Sequence, residues 1–140
     1  VFGAFLSPKA MATQPLNVMD MLFNPEGIRP FVVDWNILAA HMLRRLLQEI
    51  AHEPSEESSA LLAKVRTYPD VEELIGRSAV DVDGGPMLTM ELRREDLRVK
   101  LFSTIATFGT PQDITLAELR IETAFPADES TRNVLEGWGA

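Results

Sequence analysis

The chain has 140 residues, one domain's worth, with 46% apolar and 24% charged residues, so disorder, collagen and coiled-coil rods are excluded. Thirteen basic against 21 acidic residues give a net charge of −8, which argues against a surface that grips nucleic-acid phosphates by itself. The absence of cysteine excludes disulfides, thiolate metal sites and cysteine nucleophiles, and fits a cytoplasmic protein. No apolar run approaches the ~20 residues of a membrane span, and no signal peptide is expected from the opening residues. Val1 in place of an initiator Met points to a piece of a longer protein.

In chain order, helices come first. Asn17 is an expected N-cap for a short helix through Phe23, because its side chain can accept from the free amides of the first turn. Asn24-Pro25-Glu26-Gly27 reads as a turn, with Pro25 fixing φ and Gly27 tolerating positive φ. Asp34 is an expected N-cap for the strongest helix, about 35–52. There Trp35, Leu38, Ala39, Met42, Leu46 and Ile50 recur at helical spacing and Pro54 terminates the run. Ser55 caps a further helix carrying Leu61, Leu62 and Val65. In a shorter one, Asp70 to Gly76, Glu73 could reach back to the Asp70 amide.

Asp81-Val82-Asp83-Gly84-Gly85-Pro86 breaks the pattern, and the period then changes from 3.6 to 2. Three strands are expected. Leu88, Met90 and Leu92 mark the first. Leu97, Val99, Leu101 and Ile105 mark the second. Ala117, Leu119, Ile121, Thr123 and Phe125 mark the third. Polar loops at 93–96 and 109–113 join them as antiparallel hairpins. The fold class is α+β, with helices covering one face of the sheet.

Catalytic signals are weak. His41 and His52 are eleven positions apart on one helix, ~16 Å, too far to share a metal. Asp81 and Asp83 fail the calcium-loop pattern after the glycines, and Gly84-Gly85 is not a phosphate-binding loop. Ser103, Thr104 and Thr107 have no adjacent base. We therefore expect no enzyme, no catalytic residue, no metal and no cofactor. Arg44-Arg45 and Arg93-Arg94 are either solvated surface or, for a helix arginine, an anchor for a carboxylate. The six methionines suit a core and a pliable ligand pocket equally well.

The stretch from Phe102-Ser103-Thr104-Ile105 through Gly109-Thr110-Pro111-Gln112-Asp113 to Ile121-Glu122, with Phe125-Pro126-Ala127-Asp128-Glu129 after it, resembles the C-terminal end of the MmyB-like ligand-binding domain. That domain follows an Xre-type helix-turn-helix in bacterial transcription regulators. Asn24-Pro25-Glu26-Gly27-Ile28-Arg29-Pro30, on through Val33-Asp34-Trp35, is similar to the family's helix entry. The resemblance implies a PAS-like antiparallel sheet enclosing an apolar pocket for a fatty-acid-like effector. It implies no catalytic residues. Residues 1–140 would then be one regulatory domain, the C-terminal part of a DNA-binding regulator. Its partners would be a small hydrophobic ligand and a second copy of itself. It would meet DNA only through an N-terminal domain missing here. The family's opening hairpin is expected to be absent, with Val32-Val33 belonging to the entry of the long helix.

If the alternation is right, Leu88, Met90, Leu101, Ile105, Leu119 and Ile121 share one sheet face. Trp35, Leu38, Met42 and Leu46 lie over it. The resemblance implies a gap between the two, lined partly by Met42 and Met90, holding an acyl chain (a bound fatty acid or similar apolar ligand). Arg45, three positions after Met42, is the candidate cation for its carboxylate. The alternative is a dimerisation or structural module whose apolar face packs on a second copy. A small hydrolase or isomerase is a third option.

Overall fold

The computed structural model describes residues 2–6, 17–77, 89–107 and 120–139. Among the described residues, five helices accompany one sheet: α1 (Val18–Phe23), α2 (Trp35–His52), α3 (Glu56–Val65), α4 (Val71–Arg77) and α5 (Glu129–Gly139). The sheet has four antiparallel strands in sequence order, β1 (Val32–Val33), β2 (Thr89–Arg94), β3 (Leu97–Thr107) and β4 (Arg120–Pro126). This is the α+β, PAS-like arrangement expected of the sequence.

The helix caps show which local rules hold. Asn17 Oδ1 accepts from the Asp20 amide at 3.1 Å, the side-chain cap expected for α1. Ser55 and Ser58 form a reciprocal capping box at α3, with Ser58 N to Ser55 Oγ at 3.0 Å. Asp34 stands at the N-cap position of α2 without a side-chain capping bond; it lies in the left-handed region at φ 55. An aspartate tolerates that conformation, which here turns the chain from β1 into the helix. Asp70 has φ 67, and its carboxylate accepts from Arg29. Helix α4 runs one residue beyond the expected stop at Gly76.

Two expectations change. Gly27 does not have positive φ. Its role is spatial: a Cβ there would stand 2.2 Å from the Met21 carbonyl oxygen. Val32–Val33 is not helix entry but a short edge strand, Val32 opposite Leu92 and Val33 opposite Glu91. Two β-branched residues suit that edge.

Register fixes the two faces of the sheet. Met90 is opposite Leu101 and Leu92 opposite Val99, and Leu92, Val99 and Leu101 are buried against the helices. Helix α2 buries Leu38, Ala39, Ala40, Leu43 and Leu46, while Met42 and Trp35 are half-buried. The buried arc is wider than the expected stripe and includes Leu43, because α2 packs on helices α1, α3 and α4 and joins one core cluster with Leu92, Val99 and Leu101 of the sheet.

Helix α5 is not anticipated by the strand periodicity. Asp128 Oδ1 accepts from the Thr131 amide at 2.8 Å and so caps it. The buried Thr131 hydroxyl accepts from the Lys100 amide at 2.9 Å, and the Ala127 amide donates to the Lys100 carbonyl at 2.8 Å. The helix start thus satisfies the β3 backbone where β4 ends. On the same outer face Arg98 grips Glu91 through Nε and a terminal nitrogen, at 2.8 and 3.1 Å, and reaches Asp128 at 3.0 Å.

Candidate functional site

An apolar cavity of about 230 Å³ lies between the helices and the sheet. Val18 and Leu22 of α1, Ile28 of the following turn, and Leu38 and Met42 of α2 form one wall. Met90 of β2, Leu101, Phe102 and Ser103 of β3, and Glu122 and Ala124 of β4 form the other. A more polar pocket of about 340 Å³ adjoins it, sharing Val18, Met42 and Glu122. Arg45, Glu49 and Leu46 of α2, Asn17 and Met19 of α1, and Ser55, Glu57, Ser58 and Leu61 around α3 complete that second pocket. Apolar chain space therefore continues into a charged compartment, the arrangement that suits an amphipathic small molecule.

Leu38, Met42, Met90 and Leu101 meet at the apolar cavity. Trp35 lies elsewhere. Its indole nitrogen donates to the Leu22 carbonyl at 2.8 Å, and the Arg29 guanidinium stacks 3.7 Å above its ring. Trp35 thus positions the cavity-lining helix α1 from behind. Arg45 lines the polar pocket. Ile105 has the register parity of Leu101, opposite Glu122. Ile121 pairs in register with Ala106, and the side chains of Ile105 and Ile121 lie outside the described set. Leu88 and Leu119 lie outside the described residues.

Phe125, from the apolar set expected on β4, is exposed, and that has a physical cause. Alternation divides a strand into two sets but does not say which set faces inward. In β4 the pairings Leu101–Pro126, Ser103–Ala124 and Ile105–Glu122 turn the small and acidic set toward the cavity. Phe102, although it borders the cavity, stacks its ring on Phe125, 5.5 Å away. Ser103, Glu122, Val18 and Ile28 are cavity residues the sequence did not mark.

Helix α1 is pinned to its surroundings by a charge-assisted cluster. Tyr68 Oη donates to Asp20, and Lys64 Nζ stands 2.9 Å from the same carboxylate. Burial pushes the Tyr68 hydroxyl up to about 12, reinforced by its hydrogen bond to Asp20 and that residue's charge. Burial alone would raise the Asp20 carboxyl. The hydrogen bonds from Tyr68 and Lys64 outweigh it and leave Asp20 below the ordinary carboxylate range. His41 is held below the usual imidazole range by burial first, then by the charges of Arg44 and Arg45. His52 Nδ1 lies 2.8 Å from the Gln48 carbonyl.

Among the described residues, no group of three or more acidic or histidine side chains is placed to hold a metal, and no helix is long and apolar enough to cross a membrane. No curated protein and no solved structure matches the chain. With a sheet-and-helix shell of this topology around a ligand-sized cavity, and the family model of the MmyB-like transcription regulator ligand binding domain matching residues 1–137, the chain belongs to that family.

Proposed function

We propose that the domain senses a small hydrophobic, fatty-acid-like ligand in the apolar cavity and relays its occupancy to a helix-turn-helix domain outside this chain. The parent protein is a cytoplasmic regulator acting as a homodimer. The observation that carries the ligand reading is the cavity of about 230 Å³, lined in part by the pliable Met42 and Met90. The volume is that of roughly eight water molecules, enough for a medium-length alkyl chain. A route for the relay is available in α1. Its Leu22 borders the cavity while its backbone holds the Trp35 indole, which Arg29 ties to Asp70 before α4.

A thermal melt tests the ligand reading. A medium-chain alcohol, decanol, carries the chain without a charge. Saturation at a hundred times Kd stabilises by about 2.7 kcal/mol, a shift of several degrees for a domain this size. Met42→Trp fills the space and abolishes that shift while the apo protein still melts cooperatively. No shift in the wild type, with Met42→Trp losing about 1–3 kcal/mol by overpacking, would instead describe a solid core. The second reading, a dimerisation module, rests on the outer sheet face. Phe125 is 41% exposed there beside Phe102. Analytical ultracentrifugation of wild type and Phe125→Ser distinguishes that role from ligand binding.

A further inference from the structure

Resting on the ligand reading above, in which a helix-turn-helix precedes this chain, the geometry points to residues 2–6 as the arm that carries cavity occupancy toward it. The arm docks on the turn at residues 28–31 and is clamped by Arg94. Phe5 is 1% exposed, and its ring lies 5.9 Å from that of Phe31, tilted by 55°. Arg94, at the end of β2, donates to the Ala4 carbonyl at 3.0 Å and holds its guanidinium 5.5 Å from the centre of the Phe31 ring. Three residues before Phe31, Ile28 lines the apolar cavity and is itself 1% exposed. One turn therefore has the cavity at its first residue and the arm at its last.

That turn is a stiff unit. The Phe31 amide donates to the Ile28 carbonyl at 2.9 Å, the Val32 amide donates to the Arg29 carbonyl, and Pro30 fixes φ between them. The Ile28 amide also donates to the Met21 carbonyl of α1 at 2.9 Å. Phe5, Leu6 and Ile28 belong to one buried cluster with Leu22 and Leu38 of the cavity wall. A chain in the cavity gives Ile28 and Leu22 packing partners on their cavity side, and so favours the position of the turn on which Phe5 docks. Occupancy therefore tightens the arm. Linkage makes the effect reciprocal: loosening the arm weakens ligand binding by the same factor.

Calorimetric titration with decanol, well below the melting temperature, tests the coupling on the folded chain. Phe5→Ala should weaken decanol binding about fivefold, the low end of allosteric coupling, although Phe5 lines neither pocket. Arg94→Gln, a milder change, should give a smaller loss in the same direction. Arg93→Gln removes the neighbouring charge, which pairs with Glu91 rather than with the arm, and should leave the affinity unchanged. The chain has no cysteine, so a nitroxide on Gly3→Cys labels the arm alone, at an exposed position. Decanol should lower the mobility of that label. Wild-type affinity in a folded Phe5→Ala, or equal affinities in Arg94→Gln and Arg93→Gln, would overturn the arm while keeping the pocket. So would a label spectrum that saturating decanol leaves as it was. Absence of decanol binding in the wild type would remove the pocket itself.

Discussion

Gly27 shows how one residue can be required for space rather than conformation. The Met21 carbonyl accepts from the Ile28 amide at 2.9 Å and leaves no room for a side chain at Gly27. Gly27→Ala should cost about 1–3 kcal/mol in urea unfolding, because the obstructing atoms are backbone and cannot swing aside. An unchanged midpoint would mean the turn simply opens. Asp20 and Tyr68 make a second residue-level forecast. Asp20 titrates below its ordinary 3.8 in the folded state, so its contribution is complete above that value and is lost as pH falls through the folded pKa. Tyr68 is raised to about 12 from 10.0, so its contribution is complete below 10.0 and is lost as pH rises toward 12. Tyr68→Phe should therefore flatten the alkaline fall in stability between those values and leave the fold intact at neutral pH. A stability profile unchanged from wild type above pH 10 would show that the hydroxyl contributes nothing.

At the scale of elements, α5 is tied to β3 by few groups, and each is separable. Hydrogen bonds from the Thr131 side chain and amide hold the Asp128 carboxyl below the ordinary range, and Arg98 adds to that. Asp128→Ala removes the cap, at about 1 kcal/mol. Thr131→Val leaves the Lys100 amide without its acceptor inside a buried contact, at about 1–3 kcal/mol. Hydrogen exchange should show faster exchange at the Lys100 amide and in the first turn of α5 in Thr131→Val, with α2 unaffected. Equal acceleration in α2 would mean that α5 and the core open as one unit. The periodicity rules read α2 and α3 well because both carry apolar residues at helical spacing and a proline or serine marks the break between them, although Asp34 makes no capping bond. They missed α5, whose residues are mostly exposed and whose start is fixed by a strand backbone.

For the whole molecule, the central expectation is that α1 and α2 and the sheet hold a cavity apart rather than fill it. Leu43, Ala39, Leu92 and Val99 are fully buried, so the packed core sits toward β1 and β2. The unfilled space lies toward β3 and β4, where Ser103, Ala124 and Glu122 replace large apolar residues. Enlarging Ala124 to Leu should therefore reduce decanol binding at least tenfold while leaving stability unchanged or raised. A destabilised protein that still binds decanol normally would place the ligand elsewhere.

The sequence by itself determined the α+β class, the succession of helices then strands, the hairpin between β2 and β3, and the caps at Asn17 and Ser55. Each depends on neighbours within a few positions: a cap side chain, an apolar period, a polar turn. It also placed Leu38, Met42, Met90 and Leu101 on facing surfaces, because alternation and helical spacing are local. Tertiary structure alone decided the rest. The pairing of β4 with β3 chose which alternating set of β4 looks inward, and so put Glu122 and Ala124 rather than Phe125 at the cavity. The pairing of Val32 with Leu92 made a strand of two residues that no period could reveal. Arg45 and Glu122 became neighbours of one pocket through the packing of α2 against the sheet, a contact across more than seventy positions whose charge balance no local pattern records.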